Sequence, residues 1–237
     1  NSKSSAKDHY QLAKVLREKS RFPEAIKEYQ QAIEANPDLH LAYIDIQYTP
    51  IDKKQLDELI IFYRKLIQER HDLPIAWGNL GDALTQQGNL EEAINCYQTS
   101  CYQIAIASNP KLATLEWTPR KEKFPDFITI GASKCGTTSL HNYLSNHPQI
   151  LLPHKKELDF FWKHYDKGID WYLAHFPAIT DRPDFLTGEA TPNYIRFPEV
   201  AQRIHQLHPN IKLILLLRNP VDRAVSWYYH KLNAGLN

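Results

Sequence analysis

Methionine is missing from all 237 residues, and cysteine occurs only as Cys96, Cys101 and Cys135. Three cysteines are odd in number and too few for a disulfide framework, which excludes a small bridged secreted fold and favours a reducing compartment. No apolar run is long enough to cross a bilayer. Asn1 to Asp8 are polar and lack the apolar stretch of a signal peptide. A cytoplasmic setting is therefore expected. Charge of one sign is also lacking: the formal net charge is +1. No broad basic face is available, so nucleic acid is not an expected partner, and any anion site must be local. A chain this long without methionine, stopping at Asn237 just after an amphipathic pattern, is expected to be a piece of a longer protein. What is present is ordinary for a globular protein: 43% of residues are hydrophobic and 23% charged. The length allows one large domain or two small ones, each with a core.

The first half repeats itself. His9, Tyr43 and Trp77 are spaced by 34, as are Tyr29, Tyr63 and Tyr97, and Ala25, Leu59 and Ala93. The third copy reads Trp77-x2-Leu80-Gly81-x2-Leu84, then Gly88, Ala93 and Tyr97. The first reads Leu12-Ala13-x2-Leu16, then Ala25, Tyr29, Ala32 and Pro37. Each copy fits a helix pair that cannot bury its apolar stripe alone, with small residues for close approach and aromatics filling the gaps. Residues 6 to 110 resemble the tetratricopeptide repeat family. The middle copy departs, because Pro50 falls where its first helix should continue. In the third, Pro110 arrives late relative to Pro37, so an insertion or discontinuity is expected near Cys96 to Tyr102. Such repeats either bind a partner through a concave surface or serve as a structural appendage. The repeat domain is placed at 1–117. Pro119, Pro125 and the charges from Arg120 to Lys123 mark a linker at 118–125.

The second half, 126–237, carries the chemistry. Phe127 to Gly131 is an apolar run ending in glycine. Ala132-Ser133-Lys134-Cys135-Gly136 follows, and Thr137-Thr138-Ser139-Leu140 opens an amphipathic segment. Strand, loop, helix is an arrangement whose free N–H groups and dipole attract anions. A Walker A loop needs lysine directly after its second glycine; Thr137 stands there instead. Further along, the pattern predicts a short strand at 149–152, a helix at about 168–176, a strand near 184–188, helix 198–207, strand 211–217 and helix 221–232. Alternating strands and helices imply a parallel sheet covered on both faces, a P-loop-like three-layer α/β domain. Ile211 to Leu217 is apolar at almost every position and reads as a central buried strand. Ligands of such sheets bind at carboxyl ends of strands, where Gly131 and Arg218 sit.

Two segments, Lys134-x-Gly136-Thr137-Thr138 and Arg218-x-Pro220-x2-Arg223-x2-Ser226, together resemble the sulfotransferases that use 3'-phosphoadenosine 5'-phosphosulfate. Lys156-Glu157-Leu158-Asp159-Phe160-Phe161, Tyr165 to Tyr172 and Gly188-Glu189-Ala190-Thr191-Pro192-Asn193-Tyr194 are similar to the heparan-sulfate branch, especially its N-sulfotransferase domain. The resemblance implies that Lys134, Cys135, Gly136, Thr137, Thr138 and Ser139 form the loop for the 5'-phosphosulfate. It implies that Arg218 and Ser226 hold the 3'-phosphate, with Glu157 as catalytic base and Lys134 also catalytic. It implies a hydroxyl or amine acceptor, carbohydrate being one class, and no metal. Two positions depart from the branch: Ala190 stands where it has lysine, and Asp159 where some members have histidine. The branch's later adenine-binding loop is not in the sequence. The missing leader and the domain pairing suggest a bacterial enzyme.

Each of these residues also has a plainer reading. Arg218 could pair with Asp222 or Glu189. Ser226 could be an ordinary helix residue. Lys155-Lys156-Glu157 could be a solvated charge run, although Phe160 and Phe161 would anchor it to the core and turn its polar side to a cleft. Glu189 is a second carboxylate, either structural or touching the acceptor. His141, His147, His154 and His164 flank the site in sequence without matching a motif. Phe160, Phe161, Trp162, Trp171 and Tyr172 either stack on a sugar or pack the core. The rival functions are a nucleotide phosphotransferase of the kinase type and a repeat scaffold whose nucleotide site is vestigial.

Overall fold

The computed structural model describes residues 2–117, 124–179 and 185–233. The chain forms two compact units, Asn1–Ser100 and Cys101–Asn237.

The first unit is helical throughout: α1 (Ser2–Glu18), α2 (Phe22–Ala35), α3 (His40–Gln47), α4 (Lys53–Glu69), α5 (Pro74–Gln87) and the start of α6 (Leu90–Ser108). The starts and stops follow local chemistry. Asp52 caps α4 in a reciprocal pair with Gln55. Proline opens α2 and α5, where its missing N–H costs nothing. Gly88, at φ +93°, ends α5 in the left-handed conformation that glycine tolerates. The repeat positions lie in the core: Ala25, Tyr29, Tyr43, Ala93 and Tyr97 are fully buried. A Cβ added at Gly81 would lie 2.6 Å from the Tyr97 ring, so that glycine is what lets the aromatic in. α3 has only eight residues and stops before Pro50, as expected. Near Cys96 to Tyr102, where an insertion or discontinuity is expected, α6 runs unbroken for 19 residues against 14 in α2, so the extra residues lengthen the helix.

The sequence places the end of the repeat domain at 117, whereas the structural division falls within α6. The reason is packing. Ala105 and Leu112 share a core with Leu151 and Ile179, joined by Ile106, Trp117 and Phe185. The linker residues 118–123 lie outside the described residues.

The second unit holds β1 (Phe127–Gly131), α7 (Thr137–Ser145), β2 (Ile150–Leu151), α8 (Ile169–Leu173), β3 (Leu186–Ala190), α9 (Pro198–Leu207), β4 (Lys212–Leu215) and α10 (Pro220–Asn233). The sheet order is β2-β3-β1-β4. Every pairing is parallel, with Phe127 opposite Gly188 and Lys212. An aromatic nest forms the core: Phe160, Phe161, Trp171, Tyr172 and Tyr194 are all buried, and Phe160 stacks on Tyr172 at 4.5 Å. These aromatics pack the core rather than offering a sugar platform.

One expectation fails. β4 is an edge strand among the described residues, and Leu213 and Leu215 are 52% and 44% exposed. A continuous apolar run signals a strand suited to cover on both faces, but composition cannot supply the cover.

At the sheet centre the backbones meet closely. A Cβ at Gly188 would overlap the Phe127 ring across the β3–β1 pair. Gly188→Ala is therefore expected to cost ~1–3 kcal/mol by overpacking. A lowered urea midpoint with unchanged slope would show it, and an unchanged midpoint would contradict the close approach.

Candidate active site

β1 and β4 run side by side to the same edge of the sheet. Their ends are tied by Ala132 N–H to Leu216 O and Leu216 N–H to Gly131 O, both 2.9 Å. The loop after β1 turns through Lys134, at φ +68°, and Gly136, at φ +88°, into the first turn of α7. The segment after β4 grips that loop: Arg223 Nε donates to Ser133 O at 3.0 Å, and Arg218 Nη1 to Lys134 O at 3.4 Å. Arg218 thus meets neither Asp222 nor Glu189; its guanidinium lies against the lysine loop.

A cavity of about 430 Å³ opens here, and Lys134, Gly136, Thr137, Thr138, Glu157, Arg218 and Ser226 all line it. Cys135 and Ser139 do not. Cys135 is buried with its thiol turned to Ser133 O, and Ser139 faces solvent, because successive residues of a turn and a helix start point in different directions.

Six further residues line the cavity: Ser133, Lys156, Pro192, Asn193, Trp227 and His230. His230 follows Ser226 by four, one helical turn, so the spacing already puts the two on one face of α10. His141, His147, His154 and His164 lie elsewhere. Lys156 leaves no such signal, since a lysine in a charge run reads as solvated. In the structure its side chain is only 17% exposed, and it pairs with Glu157 at 2.8 Å. The site therefore gathers three cationic side chains, Lys134, Lys156 and Arg218, around one carboxylate. A doubly charged anion would find Coulombic and hydrogen-bonding partners there.

Glu157 is held by its backbone. Its N–H donates to Ala190 O at 3.0 Å, while its φ of +66° sets it in left-handed backbone, as does the +56° of Asp159. Leu158, Phe160 and Phe161 are buried on the other side. The segment is thus anchored by its apolar residues, with Glu157 turned to the cavity. Asp159 accepts from the Trp162 indole at 2.9 Å, and burial raises its pKa.

Glu189 does not reach the cavity. It is 1% exposed and accepts from Thr191 Oγ1 at 2.7 Å, Tyr172 OH at 2.9 Å and Tyr194 OH at 3.0 Å. Burial pushes its pKa up to about 7, outweighing the three hydrogen bonds, which lower it. Because the folded value exceeds the ordinary 4.5, the native state binds more protons between pH 4.5 and 7. Its contribution is full below the lower value and is lost as pH rises through the upper one. Relative to Glu189→Gln, the protein is expected to lose up to ~3 kcal/mol of stability between pH 5 and 8. Parallel unfolding curves for the two proteins across that range would contradict the shift.

Comparison with known proteins bears on this site. Residues 124–237 match the family described as the sulfotransferase domain, and residues 6–39 and 74–103 match the tetratricopeptide repeat. The membrane-associated sulfotransferase kil1 of Dictyostelium discoideum is 48% identical over 109 residues, covering 46% of this chain and 23% of that protein. The bifunctional heparan sulfate N-deacetylase/N-sulfotransferase 3 of Homo sapiens is 40% identical over 124 residues, 48% of this chain and 14% of that protein. A crystal structure of a sulfotransferase from Alicyclobacillus acidocaldarius aligns at 37% identity with a TM-score of 0.42, covering 48% of this chain and 53% of that one. The chain spans less than a quarter of the length of these two curated relatives.

Proposed function

We propose that this chain, whose residues 124–237 match the sulfotransferase domain family and whose residues 6–39 and 74–103 match the tetratricopeptide repeat, transfers a sulfuryl group from 3'-phosphoadenosine 5'-phosphosulfate to a hydroxyl or amine acceptor. The observation that carries the reading is the shared cavity. Lys134 from the loop after β1, Arg218 from the segment after β4, and Glu157 line one space of about 430 Å³.

In this reading the amides opening α7, with Lys134, Thr137 and Thr138, hold the 5'-phosphosulfate. Arg218 and Ser226 hold the 3'-phosphate. The acceptor oxygen or nitrogen forms a bond to sulfur as the bond from sulfur to the 5'-phosphate oxygen breaks. The bonding pair leaves on that oxygen, and the acceptor's proton passes to Glu157. Lys134 stabilises the charge developing on the leaving oxygen. The products are the sulfated acceptor and 3'-phosphoadenosine 5'-phosphate. The proposed scheme requires no metal. We assign 126–237 to the transferase domain, 118–125 to a linker and 1–117 to the repeats, with residues 101–117 packing against the sheet unit.

The acceptor class we favour is carbohydrate, supported by likeness to proteins named for heparan sulfate. The repeats would hold a protein partner. A bacterial cytoplasmic setting completes the proposal: the three cysteines are free, and no helix among the described residues is long and apolar enough to cross a membrane.

Thermal unfolding with added nucleotide tests the proposal. 3'-Phosphoadenosine 5'-phosphate should raise the midpoint with concentration, as a ligand of the native state must. ATP with Mg²⁺ should not. The reverse order would favour a kinase-type phosphotransferase, and no shift from either a vestigial site.

A further inference from the structure

Three backbone amides hold the segment that carries Glu157, and they alternate along it. Glu157 N–H donates to Ala190 O at 3.0 Å. Asp159 N–H reaches Thr191 Oγ1 at 3.4 Å, and Phe161 N–H reaches Tyr194 OH at 3.3 Å. The first acceptor is a carbonyl and has one polarity. The other two are hydroxyl oxygens, each with one proton that could point either way. That proton must be directed away from the amide, or donor would face donor.

Glu189 is where both protons go. Thr191 Oγ1 donates to its Oε2 at 2.7 Å and Tyr194 OH to its Oε1 at 3.0 Å. In its ionised form, which prevails above about pH 7, the Glu189 carboxylate only accepts. With their protons committed to it, the two hydroxyls can offer only lone pairs to Asp159 and Phe161. Glu189, Thr191, Tyr172 and Tyr194 are each at most 2% exposed, so no water from bulk competes for these rotors. The segment needs this support, because two of its non-glycine residues, Glu157 and Asp159, occupy left-handed backbone.

We propose that Glu189 is a positioning residue: its buried carboxylate fixes the direction of the Thr191 and Tyr194 hydroxyls, and through them the backbone that aims Glu157 into the cavity. The proposal rests on the sulfotransferase reading for its catalytic consequence but not for its structural one. Glutamine at 189 would turn an NH2 group toward one of the hydroxyls. That hydroxyl would have to reverse and present its proton to the segment, releasing an amide. The raised pKa of Glu189 fits a carboxylate whose ionised form is maintained at some cost in stability.

The test has two independent readouts on the full chain. At about pH 8, where Glu189 is ionised, Glu189→Gln should quicken hydrogen exchange at least tenfold at Asp159 or at Phe161, according to which hydroxyl faces the new NH2 group. Exchange at Thr191, whose N–H bonds Thr129 O at 3.0 Å, should hold. Unchanged exchange at both 159 and 161, or equal quickening at 191, overturns the proposal. Separately, kcat should fall at least tenfold, while the KM for the donor and the stabilisation by 3'-phosphoadenosine 5'-phosphate stay within a factor of two. A proportional loss of kcat and donor binding, or no loss of kcat, also overturns it. Tyr194→Phe removes one arm alone and serves if the glutamine variant does not fold. It should quicken exchange at Phe161 but not at Asp159, and both or neither moving counts against the relay. A failure of the sulfotransferase reading would appear instead as absent nucleotide stabilisation in the unaltered chain, with the exchange results intact.

Discussion

Lys134→Ala is expected to abolish the stabilisation that 3'-phosphoadenosine 5'-phosphate gives the full chain and to lower kcat/KM by about 10²–10³-fold. The physical case is local. Lys134 supplies a full positive charge beside the first turn of α7, where backbone N–H groups supply partial ones. Arg218 and Lys156 remain in the variant, but each has another task. Arg218 faces the opposite phosphate in the proposed pose, and Lys156 is paired with Glu157 at 2.8 Å. Nothing else in the lysine loop carries charge. A nucleotide at a hundredfold excess over its Kd stabilises a fold by about 2.7 kcal/mol, so the loss is easily read as a midpoint shift. Lys134 is half-buried on a loop and Arg218 holds it through its backbone oxygen, which alanine keeps, so the apo protein should unfold where the parent does. A variant that keeps its full nucleotide shift would remove the ammonium from the donor site altogether.

The second large effect belongs to Glu157. Glu157→Gln should reduce kcat by about 10²–10⁴-fold, the usual weight of a positioned general base. It should leave nucleotide stabilisation in place. Glutamine keeps the shape and removes the basic oxygen, so geometry and proton acceptance separate. The split matters, because Lys156 also loses its ion-pair partner in this variant. If kcat and the nucleotide shift both stay as they were, the base is another group. His230 lines the same cavity, and in that case His230→Asn should carry the loss. If both fall together, Glu157 acts in binding rather than in proton transfer.

Much of this protein could be read along the chain, because its signals are local. The spacing of Tyr29, Tyr63 and Tyr97 reports helix packing, since each repeat buries the same face against its neighbour. Pro50 stops α3 wherever the rest of the chain lies. Phe127 to Gly131 followed by the lysine loop and Thr137 gave strand, loop and helix within a residue of their observed bounds. The aromatic cluster was harder. Phe160 and Tyr172 could have served a sugar or a core, and only their mutual stacking decided for the core.

Where sequence reasoning fell short, distance in space was the cause. Lys156 resembled a solvated lysine, because no pattern shows that a cavity wall lies beside it. Cys135 and Ser139 stood in the right loop, but neighbouring residues need not share a direction. The apolar run at β4 announced a strand without announcing its neighbours. Glu189 was one carboxylate among several until Tyr172, Thr191 and Tyr194 closed around it from different elements.

By itself, then, the sequence determined the order of helices and strands, where several of them start or stop, and which two loops carry the charges, because capping, periodicity and glycine act over a few residues. Only the tertiary structure decided that those loops face one cavity, that Glu157 turns into it, and that Glu189 sits behind it beyond the reach of solvent. Burial and long-range contact belong to the folded chain, since they arise when residues far apart along it exclude water together.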